Sequence, residues 1–244
     1  MHRFFSDPDR IDGSEAFLTR EDARHAVTVL RVRPGQHVGI IANGGLWEAE
    51  ILSADASDVR VILLHALPST EPSLSVTLFQ GLPKADKMEL IIQKATELGV
   101  RHIVPVILKR CVSRPDAKDI PRRLERWNRI AREAAKQSGR CVIPDVTAPV
   151  SLGQLSAVCA LPETSIVPWE EAEGYGPLAF HNDHRSISSV GIMIGPEGGI
   201  EQNEIGILRS LGFIPVTLGK RILRTETAGL AAVSSLMSLY GEME

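Results

Sequence analysis

Two short segments hold the residue types from which a ligand site can be made. The first, Ile192-Met193-Ile194-Gly195-Pro196-Glu197-Gly198-Gly199-Ile200, is an apolar strand that runs into a Gly-Pro-Glu-Gly-Gly loop ahead of a helix. Gly195, Gly198 and Gly199 bring no side chains, so a ligand can approach the main chain, and the start of the next helix favours negative charge. A tight turn without a ligand explains the same residues. The loop fits neither the dinucleotide fingerprint nor the phosphate-cradling loop ending in Gly-Lys-Ser/Thr, so nucleotide-like binding and a plain turn both stay open. The second segment, Leu218-Gly219-Lys220-Arg221-Ile222-Leu223-Arg224-Thr225-Glu226-Thr227-Ala228, also leaves a strand and enters a helix. Thr225 or Thr227 can cap that helix, which leaves Arg224 to face a ligand or an Asp. Ligands of open α/β sheets bind at the carboxyl ends of strands, so two such loops point to one shared pocket.

Other chemistries find less support. The seven histidines, His2, His25, His37, His65, His102, His181 and His184, show no metal-ligand spacing with acids or cysteines. Cys111, Cys141 and Cys159 are odd in number and never close in sequence, which fits reduced thiols rather than disulfides or a zinc site. No Gly-x-Ser-x-Gly elbow is present. Hydrolytic and metal-assisted reactions therefore lose ground, and a transferase using a diffusible cofactor remains.

The elements that must position these segments follow from periodicity. Thr19 to Leu30 reads as a short helix, with Thr19 and Asp22 resembling a capping box. His37 to Ala42, Leu46 to Leu52 and Val59 to Leu64 read as strands, the first two joined at Asn43-Gly44-Gly45. The prolines and small polar residues of Leu67 to Ser73 mark a linker between a β-rich domain, 1–70, and a second domain, 74–244. Strands are expected at Leu74 to Gln80, His102 to Leu108, Thr164 to Val167, Val190 to Ile194 and Ile214 to Leu218. Helices are expected at Ala85 to Leu98, ended by Gly99, and at Pro121 to Ser138, Glu201 to Leu211 and Thr227 to Tyr240. The Gly- and Asn-containing stretch Glu170 to Ser186 is expected as a flexible loop. The class is α/β with a mostly parallel sheet.

Composition sets the outer bounds. The chain of 244 residues is 43% hydrophobic and 23% charged, as expected for globular domains. Its apolar runs are far shorter than the ~20 residues that a spanning helix needs. Charged and polar residues stand where a signal peptide would need its apolar stretch, so a cytoplasmic protein is expected. The net charge of -3 hides an asymmetry: residues 84–140 carry 15 Lys or Arg against 7 acids, whereas residues 141–206 carry 1 against 9. On the Pro121 to Ser138 helix, Arg122, Arg126, Arg129, Glu133 and Lys136, and Arg140 if the helix continues, fall opposite Leu124, Trp127, Ala131, Ala134 and Ser138. That arrangement suits either a phosphate-binding face or a solvated one.

Taken together, Lys84-Ala85-Asp86-Lys87 with Thr96-Glu97-Leu98-Gly99, the Glu133 to Arg140 segment, Ile194 to Gly199 and Leu218 to Ala228 resemble the bacterial RsmE family. These are the ribosomal RNA small subunit methyltransferases E of the SPOUT superfamily, which form 3-methyluridine in 16S rRNA from S-adenosylmethionine. Arg3-Phe4-Phe5 and Leu30-Arg31-Val32-Arg33-Pro34-Gly35 resemble that family's PUA-like β-barrel. The resemblance implies a methyltransferase domain with a C-terminal trefoil knot, a homodimer, no metal and no membrane attachment. It places the cofactor against Ile194, Gly195, Pro196, Gly198, Gly199, Leu218, Gly219, Ile222 and Leu223. For that reaction N3 must lose its proton, which makes Arg224 the first candidate for stabilising a uracil anion and Glu197 the second candidate, as base. Contacts to 16S rRNA or the small subunit are expected from Arg3, Arg24, Arg31, Arg33, Lys84, Lys87, Arg110, Arg129, Glu133 and Arg140. The rival readings are another SPOUT reaction such as ribose 2′-O or guanine methylation, a non-catalytic assembly factor, and a nucleotide-binding metabolic enzyme.

Overall fold

A computed structural model describes residues 1–158 and 160–244, so Cys159 lies outside the described residues. The chain divides into two compact units, one of residues 1–71 with 136–142 and the other of residues 72–135 with 143–244.

The first unit is a closed five-stranded barrel in the order β1 (Arg3–Asp12), β2 (Glu15–Leu18), β5 (Asp58–Leu67), β4 (Gly45–Asp55), β3 (His37–Ala42). A parallel pairing of β1 with β3 closes it, and closure leaves no open sheet edge. Asn43 and Gly44, at φ 52° and 73°, form the tight hairpin turn between β3 and β4. Phe4, Ile40, Ile51, Val59 and Val61 fill the interior. The helix α1 (Arg20–Thr28) is shorter than expected. Thr19 Oγ1 accepts from the N–H of Asp22 at 3.3 Å. Asp22 does not complete a capping box; its buried carboxylate accepts from the N–H of Phe5 at 2.8 Å and pairs with Lys136 at 2.8 Å. The linker region is more than a spacer, because Glu71 accepts from the N–H groups of Cys141 and Val142 and from the Arg140 guanidinium. β1 and β2 were not expected from periodicity, since β1 is dominated by polar and charged residues.

The second unit is a seven-stranded sheet. β12 (Phe213–Val216), β10 (Thr164–Pro168), β11 (Ser189–Ile194), β6 (Ser75–Gly81), β7 (His102–Ile107) and β8 (Asp145–Val146) lie in that order, with β9 (Val150–Ser151) also on β7. Every pairing in it is parallel. Its strands are buried apolar runs, as a sheet covered on both faces requires. The helices of this unit are α2 (Lys87–Glu97), most of α3 (Ile120–Ser138), α4 (Leu155–Val158), α5 (Pro177–Asp183), α6 (Gln202–Ser210) and α7 (Thr225–Leu239). On α2, Met88, Ile91, Ile92 and Ala95 are buried. Gly99, at φ 91°, ends α2 in a Schellman turn, with its N–H on Thr96 O and that of Val100 on Ala95 O, each at 3.0 Å. The stretch expected as a loop after Glu170 contains α5, pinned by the fully buried Phe180. Among the described residues, no helix is long and apolar enough to cross a membrane.

β6 is followed by β7 on one side, whereas β11 on its other side is followed by β12 beyond β10. The connections leaving β6 and β11 therefore run in opposite directions, and a crevice opens at the carboxyl ends of this pair. Gly81 sits where the two ends cross: an added Cβ would lie 2.7 Å from Pro196 N and 2.9 Å from Ile194 O. Backbone atoms cannot yield as a side chain can. Gly81→Ala is expected to destabilise the protein by about 1–3 kcal/mol through overpacking. Gly206→Ala, on an exposed turn of α6 with nothing within 4 Å, should instead stabilise it by about 0.5–1 kcal/mol. Urea denaturation of the two variants measures both values.

Candidate functional site

The segments leaving β10, β11 and β12, with the start of α2, enclose a cleft of about 820 Å³. That size falls in the range of ~300–1,000 Å³ usual for small-molecule sites. Its walls are built at the carboxyl ends of the strands, where the first and second chemistry-bearing segments converge. Ile194, Gly195, Pro196, Glu197, Gly199, Leu218, Gly219, Ile222, Leu223 and Arg224 all line it. Gly198 does not, and lies against Arg110 instead. Pro168, Trp169 and Glu170 also line the cleft, whereas Val167 is fully buried in the core.

The glycines of the first loop serve its own packing more than a ligand's approach. An added Cβ at Gly195 would lie 2.8 Å from Ile200 Cγ1, and one at Gly198 would lie 3.0 Å from Arg110 Cβ. Gly199 is in the left-handed region at φ 74°. Gly219 differs: at φ 96° it lines the cleft, and an added Cβ would meet nothing within 4 Å. There the bare main chain does face open space. Ile222 beside it is 91% exposed, which is costly for a large apolar side chain unless something covers it.

Thr225 does not cap α7. The N-cap position is Arg224, whose side chain makes no capping bond. Thr225 is buried, and its Oγ1 donates to Gly195 O at 2.6 Å and accepts from Gln80 Nε2 at 2.9 Å. Gln80 also donates to Gly81 O at 2.9 Å. The register of β11 on β6 pairs Ile194 with Gln80, so this small network ties the ends of both strands to the first turn of α7.

A second tie is ionic. Lys87 Nζ lies 3.2 Å from Glu197 Oε1 and 3.1 Å from Glu226 Oε2, joining α2, the Gly-Pro-Glu-Gly-Gly loop and α7. The N–H of Lys84 donates to both oxygens of Glu197, at 3.1 and 3.3 Å. Burial pushes the Glu197 carboxyl up, but backbone N–H groups and the Lys87 ammonium outweigh it and hold it below its ordinary value. The Glu226 carboxyl is also held low, first by its own backbone N–H and, against some burial, by Lys87. Hydrogen bonds to Glu226 and Glu197 raise Lys87. Glu197 is therefore a held anion with lowered proton affinity, which counts against the role of base expected for it.

The residues expected to contact RNA separate by environment. Arg3, Arg24, Arg31 and Arg33 are exposed on the first unit, with Arg3 Nη1 donating to Gly139 O at 2.5 Å. Arg129 is exposed on α3, and Lys84 is exposed ahead of α2. Lys87 is clamped between its two carboxylates in the cleft wall. Arg110 is turned to Gly198 O at 2.9 Å and to Glu201 at 3.6 Å. Arg140 falls beyond the end of α3, is 4% exposed and pairs with Glu71 at 2.7 Å, so it offers no phosphate a surface. Glu133 is an exposed carboxylate that repels phosphate. The segment at the end of β10, Val167 to Glu170, is also open to the cofactor by resemblance, and its Pro168, Trp169 and Glu170 line the cleft. Sequence reasoning did not single out Gln80 or Glu226.

Residues 70–237 match the RNA methyltransferase domain family, and residues 18–64 match the RNA methyltransferase PUA domain. The chain is 34% identical over 245 residues to the ribosomal RNA small subunit methyltransferase E of Bacillus subtilis, covering 97% of this chain and 96% of that one. Its counterpart in Aquifex aeolicus is 32% identical over 241 residues, covering 98% and 100%. The crystal structure of a ribosomal RNA small subunit methyltransferase E from Neisseria gonorrhoeae bound to S-adenosyl methionine matches with a TM-score of 0.84 and 32% identity over 100% of both chains. A closed barrel, a parallel sheet with a walled cleft, and likeness along the full length lead to one conclusion: the chain belongs to the ribosomal RNA small subunit methyltransferase E family.

Proposed function

We propose that this protein transfers the methyl group of S-adenosylmethionine to N3 of a uracil in 16S rRNA, using the cleft at the carboxyl end of the sheet as the cofactor site. The observation that carries the reading is the convergence of the Ile194 to Gly199 and Leu218 to Arg224 segments on one cleft. Residues 1–71 with 136–142 act as the RNA-binding unit, and residues 72–135 with 143–244 as the catalytic domain. The trefoil knot and the homodimer are parts of the same reading, and both rest on family membership.

The residues present suit the cofactor. The indole of Trp169 and the apolar side chains of Leu218 and Leu223 suit an adenine, and exposed Ile222 gains cover from it. The bare main chain at Gly219 lets a ligand approach closely. Glu170 and Glu173 offer carboxylates to a sulfonium or an ammonium, whereas Glu197 is already paired with Lys87. When bound, S-adenosylmethionine supplies an electrophilic methyl group.

The chain's own residues handle the uracil. Its N3 becomes a nucleophile only as its proton leaves, so charge grows on the carbonyl oxygens. Arg224 is exposed at the cleft and directly precedes α7, where guanidinium donors and the helix's positive end both favour that charge. Because Glu197 is a held anion, the proton leaves to solvent. Rate then comes chiefly from orientation and electrostatic stabilisation, and no triad is needed. The RNA backbone is met on the large unit by Arg122, Arg126 and Arg129, exposed at one-turn intervals along α3, with Arg126 also paired to Glu89 at 2.7 Å.

Labelled methyl transfer to small-subunit particles and to naked 16S RNA, followed by nucleoside analysis, tests the reaction. Label in 3-methyluridine is expected; label in another nucleoside would overturn the target. Arg224→Ala should reduce kcat by about 10²–10³-fold while S-adenosylmethionine still binds, and near-normal turnover would overturn its role. Replacing both Arg122 and Arg129 with Glu should weaken RNA binding at low salt and reduce the salt slope by about 1 for each lost phosphate contact. An unchanged slope would remove α3 from the interface.

A further inference from the structure

We infer that Lys87 is a positioning residue for methyl transfer: by occupying Glu226, it keeps Arg224 extended toward the substrate. The inference rests on the reading of Arg224 given above. Lys87 projects from the first turn of α2 to a point between two carboxylates, 3.2 Å from Glu197 and 3.1 Å from Glu226. All three side chains are largely shielded, at 31%, 25% and 17% exposure. One cation thus serves two anions, Glu197 of the cleft wall and Glu226 in the first turn of α7.

Glu226 stands two residues after Arg224, at the same helix start. Its carboxylate feels the charge of both cations, and the Lys87 ammonium is ion-paired with its Oε2 at 3.1 Å. The two cations are therefore competitors for one anion. While Lys87 holds Glu226, the exposed guanidinium of Arg224 remains directed at the cleft. Without the ammonium, the shielded Glu226 carboxylate loses its cation, and Arg224 is the neighbouring charge that replaces it. The guanidinium would fold back along α7 and leave the uracil oxygen. Glu197 loses less, since the N–H of Lys84 still donates to it.

This competition separates positioning from simple structural support. If Lys87 only braces the loops, K87M leaves the shielded Glu226 carboxylate unpaired, and E226Q restores the melt and kcat in step. If Lys87 keeps Arg224 out of a trap, K87M lowers kcat more than the melt accounts for, and removing the trap restores kcat without a matching change in the melt. The measurements are kcat and KM for small-subunit RNA, S-adenosylmethionine affinity by calorimetry, and thermal melts for K87M, K87R, E226Q, K87M/E226Q and R224A.

K87M should lower kcat by about tenfold or more while cofactor affinity changes by less than about threefold. K87R, which keeps the charge, should recover most of the loss. K87M/E226Q should be several times more active than K87M alone, without a matching change in the melt. A double variant no better than K87M, or one whose kcat and melt recover in step, with R224A inactive, overturns the inference and leaves the role of Arg224 standing. Full turnover by R224A would instead overturn the reading of Arg224 on which the inference rests. Should K87M fail to fold, K87Q, which keeps a donor without the charge, allows the same comparison with E226Q.

Discussion

The cleft at the carboxyl end of the sheet depends on one buried hydroxyl. Thr225 Oγ1 bridges the carbonyl of Gly195 and the amide of Gln80, and so joins the ends of two parallel strands to the helix that follows the second cleft loop. Each such bond contributes only about 0.5–1.5 kcal/mol net. Leaving its partners buried and unpaired costs about 1–3 kcal/mol, so the network is more a constraint on geometry than a source of stability. The Cβ-free Gly81 allows the strand ends to approach closely enough for these bonds to form. The Lys87 clamp adds a second tie among the same parts, and the two together give the cleft walls that do not depend on a ligand for their positions.

Charge of both signs lines the cleft: Glu170, Glu173 and Glu197 stand there with Lys87, Lys220, Arg221 and Arg224. The excess of basic residues in 84–140 does not form one uniform patch. Lys87, Arg110 and Arg140 are drawn into structural pairs, whereas Arg122, Arg126 and Arg129 remain on an exposed helix face. Counting charge along the sequence locates the region but overstates the number of groups available to RNA.

What the sequence made legible was local. Asn43-Gly44 announces a hairpin, Gly99 a helix end, and the spacing of Met88, Ile91, Ile92 and Ala95 a buried face, because each signal lies within one turn of the backbone it governs. The two cleft segments were legible for the same reason. Pairings across long separations were not. Arg140 looks like a surface cation until Glu71, 69 residues away, is brought to it, and Glu226 looks like an ordinary helix-start acid until Lys87 arrives. Thr225 illustrates the same limit: its type fits a cap, but the proximity of Gly195 and Gln80 gives it other partners. β1 was missed because its polar residues hide the alternation on which strand recognition depends.

The central claim is that three separate segments form one preorganised cofactor cleft. Amide hydrogen exchange with and without S-adenosylmethionine tests it most directly. The account predicts slowed exchange in residues 168–174, 194–200 and 217–225 together, with the barrel unchanged. Binding that protects only one of these segments, or that slows exchange elsewhere in the chain, would contradict it.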